Sequence, residues 1–150
     1  MRNLIKLSCG GTKITELDLS PTPGLTWLSC SNTEITELDL SHVPELTGLL
    51  FAFTKISEID LTLVQGLTWL DCSNTEITEL DLSDVPRLNW LTCSGTEITE
   101  LDLSAVPGLT MLDCDATCIQ PLDIRSLTEL YSLTHDEGRT RLIQRPDQNF

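Results

Sequence analysis

The sequence predicts a repeat solenoid that is mostly β, and three observations carry that prediction. Leucine recurs at Leu7, Leu28, Leu49, Leu70, Leu91, Leu112 and Leu133, a spacing of 21 with no insertion anywhere. The unit reads L-x-C-x-x-T-x-I-T-x and then L-D-L-S-x-V-P-x-L-T-x, which divides the period into ten residues and eleven. A turn this short cannot bury its own apolar face, so it must stack on its neighbours to make a continuous core.

The inward ladders follow from the period. Leu7, Leu28, Leu49, Leu70, Leu91 and Leu112 form one, and Cys9, Cys30, Phe51, Cys72, Cys93 and Cys114 the next. Ile14, Ile35, Ile56, Ile77, Ile98 and Ile119 form a third, while Leu19, Leu40, Leu61, Leu82, Leu103 and Ile124 line the opposite wall. A cysteine two residues after an inward leucine on a strand also points inward, where it acts as a small hydrophobe. Stacked strands are close enough for disulfides, yet Phe51 takes the same slot in the third turn and cannot replace a bonded sulfur. Free thiols are therefore expected. They suit a reducing compartment without requiring one. Cys114 and Cys118 offer one C-x-x-x-C pair, but no second pair accompanies it, and no zinc site is expected.

The segment L-x-x-L-x-C-x-x-T-x-I at Leu67 to Ile77 recurs in register from Leu4 to about Tyr131. It resembles the leucine-rich repeat signature L-x-x-L-x-L-x-x-N-x-L, in the bacterial form with short 21-residue repeats, including internalin-like proteins. The resemblance implies a right-handed coil with a parallel sheet on the concave side and short extended segments and turns on the convex side, with little α-helix. One departure is that Thr12, Thr33, Thr54, Thr75, Thr96 and Thr117 stand where the family places asparagine. A hydroxyl makes fewer bonds than an amide, so a weaker ladder is expected there. The segment I-T-E-L-D-L-S-x-V also fits a strand, which leaves open which half-repeat forms the concave sheet. Pro23, Pro44, Pro86 and Pro107 favour the L-x-C half, because proline suits a turn better than a paired strand.

With Leu70 and Cys72 inward, Trp69, Asp71 and Ser73 point out of the sheet. The row before the inward leucine reads Lys6, Trp27, Gly48, Trp69, Trp90, Met111 and Ser132; the row after it reads Ser8, Ser29, Leu50, Asp71, Thr92, Asp113 and Thr134. The next outward row reads Gly10, Ser31, Ala52, Ser73, Ser94, Asp115 and Asp136. All three tryptophans thus share one column. Gly48 interrupts it and leaves an expected gap of about 9.6 Å, two strand spacings, wide enough for a side chain or a flat ring. The third turn gathers apolar residues at Leu50, Phe51, Ala52 and Phe53, and exposed patches of that kind mark contacts. Trp27, Gly48, Leu50, Phe53, Trp69, Asp71, Trp90, Met111 and Asp113 are accordingly the candidate partner-binding residues, since tryptophan is enriched in binding hot spots. The plainer alternative is that the tryptophans stabilise an exposed sheet by cross-strand contact.

On another side, Glu16, Glu37, Glu58, Glu79 and Glu100 form one acidic column and Asp18, Asp39, Asp60, Asp81, Asp102 and Asp123 a second. No calcium loop with ligands at set spacing is present, so solvated repulsion is expected in place of a metal site. Ice binding through Thr15, Thr36, Thr78 and Thr99 is disfavoured, because Ser57 interrupts that column and charges flank it.

The array is expected to span residues 1–131 as six turns, with 132–150 a degenerate C-terminal cap and tail. At the N-terminal end, Met1 and Ile5 are the expected cover of the first turn, with a neighbouring molecule or a longer parent chain as alternatives. At the other end, 140–145 is read as a last strand stopped by Pro146, and the remainder to Phe150 as mobile.

A formal charge of -14 and a pI near 4.2 set the array against nucleic acid and anionic lipid as partners. No apolar run approaches a membrane span, and the segment MRNLIKLSCGG is too short in apolar residues for a secretion signal. The sequence leaves the location unknown, with the cytoplasm and export by a non-standard route as alternatives, and lipidation at Cys9 is disfavoured by the missing leader. His42 and His135 lie on different sides of the coil, no nucleophile has a paired base, and Gly10-Gly11 opens no phosphate-binding helix. No enzyme and no cofactor is expected. The resemblance implies a module that recognises a protein partner, of the sort found in bacterial surface and effector proteins. The alternative is a structural or self-assembling coil.

Overall fold

The computed structural model describes residues 4–150. Six three-residue strands recur once per turn: β1 (Lys6–Ser8), β2 (Trp27–Ser29), β3 (Gly48–Leu50), β4 (Trp69–Asp71), β5 (Trp90–Thr92) and β6 (Met111–Asp113). They are followed by β7 (Leu122–Asp123), β8 (Ser132–Thr134) and β9 (Leu142–Ile143). β1 to β6 and then β8 form one seven-stranded parallel sheet, and β7 pairs with β9 in a second. Each strand pairs with its equivalent in the next turn, as in Leu28↔Leu49 and Leu49↔Leu70. The L-x-C half-repeat therefore makes the main sheet. β8 continues that sheet past residue 131, into the segment expected to be the cap.

Short strands suffice because the ladder runs on beyond them. Cys30 N donates to Leu50 O at 2.8 Å and Asn32 N to Ala52 O at 2.8 Å, with equivalents in the other turns. After Asn32 the backbone turns sharply. Gly11, Asn32, Phe53, Asn74, Gly95 and Ala116, spaced by the repeat, all have positive φ between 51° and 72°. Each Thr in the asparagine slot then donates its hydroxyl to the carbonyl three residues back, for example Thr33 Oγ1 to Cys30 O at 2.7 Å. One bond per turn is what a hydroxyl donor supplies, and it ties the turn to the strand.

The second half-repeat is extended but holds each neighbour through a single amide, such as Glu34 N to Ile14 O at 3.0 Å. Only at β7 and β9 does it become a paired ladder. The convex side consists of consecutive tight turns, in which Val43 N bonds Leu40 O and Leu46 N bonds Val43 O, both at 3.1 Å. Leu40, Val43 and Leu46 are thereby turned inward and buried. Pro44 occupies the second position of the Val43–Leu46 turn, where its fixed φ is an advantage and its missing N–H costs nothing. No helix is present among the described residues.

The core is one continuous stack of these ladders. Leu28, Leu49, Leu70, Leu91 and Leu112 are wholly buried, as are Cys30, Phe51, Cys72, Cys93 and Cys114. The six cysteines are all free thiols. At the N-terminal end Leu7, Cys9 and Ile14 are only partly covered. Ile5, expected to help cover that turn, is 51% exposed and does not, while Met1 lies outside the described residues.

The C-terminal end differs from expectation in its last residues. β9 provides the expected final strand, but the chain beyond Pro146 is anchored. Gln148 is buried, its Nε2 donating to Ile124 O and Leu127 O at 2.9 Å each, while its Oε1 accepts from Arg145 N at 2.8 Å. One amide thus satisfies the open carbonyls at the end of the coil, where a further turn would otherwise bond.

Candidate binding face

The main sheet places the candidate residues in rows. Trp27, Gly48, Trp69, Trp90 and Met111 pair in that order across β2 to β6, and Ser29, Leu50, Asp71, Thr92 and Asp113 form the row beside them. Trp69 and Trp90 stack face to face, with ring centroids 4.2 Å apart and planes 8° from parallel. Trp27 meets Trp69 edge-on at 5.8 Å and 65°. That contact spans Gly48, so the gap expected there does not exist. The Trp27 ring lies over the glycine, and a Cβ on residue 48 would fall 2.1 Å from Trp27 Cε3. Gly48 therefore belongs to the face as the floor beneath an indole, with no room beside it for a partner's side chain.

The third turn is less apolar at its surface than its composition suggests. Phe51 is fully buried on its inward ladder, and Ala52 is nearly so because the strand ends at Leu50 and the chain curls inward after it. Ser73, also expected to face outward, is buried in the same way. Leu50 is half-buried, and Phe53 alone stands out at 56% exposure. Phe53 has φ 55°, a left-handed conformation that glycine, asparagine and, at Ala116, alanine adopt in the equivalent turns and that bulky residues avoid.

Asp71 and Asp113 are half-buried on the sheet. Asp71 Oδ1 accepts from Ser73 N at 3.0 Å and Ser73 Oγ at 2.6 Å; Asp113 Oδ1 accepts from Asp115 N at 3.2 Å. Trp90 Nε1 donates to Thr92 Oγ1 at 3.1 Å, which lays the indole along its own strand. Beneath the face the thiols are held protonated. Burial pushes Cys72 up to about 12, with the Asp71 carboxylate adding to it, and burial likewise raises Cys93 well above the ordinary thiol range.

The second acidic column has a local cause that charge counting alone missed. Asp18, Asp39, Asp60, Asp81 and Asp102 each accept, through Oδ1, the backbone amide two residues on at 2.9 Å, and Asp123 does the same with Arg125 at 3.1 Å. These are Asx turns that start the convex loops. The hydroxyl and amide of Ser20, and likewise those of Ser41, hold Asp18 and Asp39 below the usual carboxylate range. The D-x-S spacing was the available signal. Among the described residues no group of three or more His, Cys, Asp or Glu is placed to hold a metal ion.

No protein-family model matches the sequence, and no curated protein does. Solved structures do match. The functional domain of InlJ from Listeria monocytogenes, described as including a cysteine ladder, is 37% identical over 89% of this chain and 30% of its own, with a TM-score of 0.86. The chain belongs to the leucine-rich repeat family, in its short-repeat, internalin-like bacterial form. Two further leucine-rich repeat proteins share the fold. Internalin C2 from Listeria monocytogenes is 21% identical, over 96% of this chain and 71% of its own, at a TM-score of 0.84. A leucine-rich repeat protein from Leptospira interrogans is 20% identical, over 94% of this chain and 38% of its own, at 0.85. The leucine-rich repeats described here thus span 30% of the length of the InlJ chain.

Proposed function

We propose that this leucine-rich repeat coil is a recognition module, without catalytic activity of its own, that binds a protein partner through the concave sheet. The observation that carries the reading is the indole column. Trp27, Trp69 and Trp90 contact one another on the solvent face of the sheet, while the core is filled without them. Large rigid aromatic surface held on a scaffold is the usual anchor of a protein interface. Trp69, Trp90, Met111, Leu50, Asp71 and Asp113 form the centre of the proposed face, with Gly48 beneath Trp27 and Phe53 at its margin. The partner is a protein, not a nucleic acid or an anionic membrane, both of which the charge of -14 repels.

The test compares native chain with a Trp27→Ser, Trp69→Ser, Trp90→Ser variant whose fold is checked by circular dichroism. A partner retained only by the native chain supports the reading; retention by both, or by neither, overturns it. Self-assembly is the second reading, face to face through the aromatic strip, and the partial exposure of Trp27, Trp69 and Trp90 on the sheet favours it. It requires that the mass in solution rise with concentration, so a monomer across the whole accessible range removes it.

A further inference from the structure

The Trp69–Trp90 stack and its neighbouring row determine more than the presence of a contact surface. Thr92 lies in register between Asp71 on one side and Asp113 on the other. The two carboxylates are therefore two strand spacings apart, about 9.6 Å between their backbones, with a hydroxyl midway. Trp90 points its N–H at that hydroxyl, so the indole borders the same spot with its polar atom already satisfied. Met111 adjoins Trp90 in the next strand.

The charges on this row are one-sided. Each carboxylate spends Oδ1 on a neighbouring residue, as described above, and among the described residues no ion pair engages Asp71 or Asp113. Asp115 adds a further carboxylate in the next row, whereas Asp136 is paired with Arg139 at 3.6 Å, and Lys6 is the one basic residue of these three rows, at the far end on β1. Covering this face with a neutral or acidic surface would strip water from unpaired carboxylates, which is strongly unfavourable. A cation placed over Thr92 meets both carboxylates and offsets that loss. Its aliphatic stem has the Trp90 ring and Met111 to lie against.

We propose that the protein partner is a basic segment whose arginine or lysine docks over Thr92, between Asp71 and Asp113, with its stem against Trp90 and Met111. This rests on the concave-face reading above and specifies the partner's chemistry. Arginine fits better than lysine, because a planar guanidinium stacks on an indole and presents donors to carboxylates on two sides.

The experiment is selection of a random linear peptide display library on the folded native chain, with the retained peptides then titrated by tryptophan fluorescence. Three variants accompany it: Asp71→Asn with Asp113→Asn, Trp69→Ser with Trp90→Ser, and Glu37→Gln with Glu58→Gln and Glu79→Gln on the acidic flank. The expected result is several-fold enrichment of Arg and Lys, with Arg ahead, and loss of affinity of about tenfold or more in the first two variants. The flank variant should bind as the native chain does. Peptides without basic enrichment that still depend on the tryptophans would overturn the proposal and leave the concave-face reading standing. Basic peptides that ignore the Asp71/Asp113 change but weaken with the flank change would overturn it in favour of diffuse attraction. Peptides indifferent to the tryptophans, or an empty selection, would overturn both.

Discussion

The third and fourth turns follow the same backbone path and differ at almost every position that matters. The fourth presents Trp69 and Asp71 outward, buries the small Cys72, and turns at Asn74 with φ 52°. The third puts Gly48 and Leu50 in the outward positions, buries the bulky Phe51, and forces Phe53 through the same turn at φ 55°. The register between them is nevertheless undisturbed, from Gly48↔Trp69 to Leu50↔Asp71. Inter-turn hydrogen bonds and the leucine and isoleucine ladders thus hold the geometry, and the remaining positions are free to vary within it. The difference also assigns roles: the fourth turn offers a flat aromatic and an acid, the third a floor for the Trp27 ring and one exposed phenyl group.

Four substitutions probe that comparison. Phe51→Ala should have the largest effect, a loss of about 3–5 kcal/mol, because a fully buried benzyl group leaves a cavity between two neighbouring turns. Cys72→Ala in the same ladder should cost only about 1 kcal/mol. Urea denaturation of both measures the contrast, and equal losses would mean that the third turn relaxes around the void. Gly48→Ala should cost about 1–3 kcal/mol, since the new methyl group collides with the Trp27 ring. Near-ultraviolet circular dichroism should change with it; an unaltered aromatic signal would show that Trp27 does not lie over Gly48. Phe53→Asn should stabilise the protein by about 1 kcal/mol, because asparagine tolerates the left-handed turn that phenylalanine resists. A stabilised variant that binds partner less well would show that the exposed ring is kept at a cost in stability for recognition. A destabilised one would show that Phe53 packs usefully where it stands.

The last effect is confined to alkaline pH. Burial pushes Cys30 and Cys72 up to about 12 from the ordinary value of 9.0. An unfolded chain gives up these protons at lower pH than the folded one. Their stabilising contribution is complete below pH 9.0 and is lost progressively as pH climbs towards about 12. Cys72→Ala removes one such group, so the midpoint of unfolding should fall less steeply with pH than in the native chain. Identical pH profiles would mean that the thiols are not the cause.

Much of the architecture was legible because it is written in residue identity. The 21-residue leucine spacing gave the coil, the four prolines pointed to the correct sheet, and the cysteine column followed from strand alternation. What the sequence concealed depends on where side chains go after leaving the backbone. The indole of Trp27 folds over Gly48, which turns an expected gap into a filled surface. The strand ends too early for Ala52 and Ser73 to keep facing outward. Gln148 anchors the tail through bonds to residues more than twenty positions away, and no periodic pattern marks such a contact. The Asp column was visible as charge, but its turn chemistry lies in bonds to the backbone amide two residues on, which a charge pattern does not show.

The strict register has a consequence for how such a molecule can change. A compact domain gains interior faster than surface as it lengthens, so its outer and inner residues are selected together. This coil gains both in fixed proportion: each added turn brings the same wall of leucine, isoleucine and cysteine and two more outward positions on its strand. Duplicating or deleting a turn therefore lengthens or shortens the vocabulary of the face without rewriting its grammar. Outward-facing and core residues are written in separate columns, and each can drift while the other stays constant.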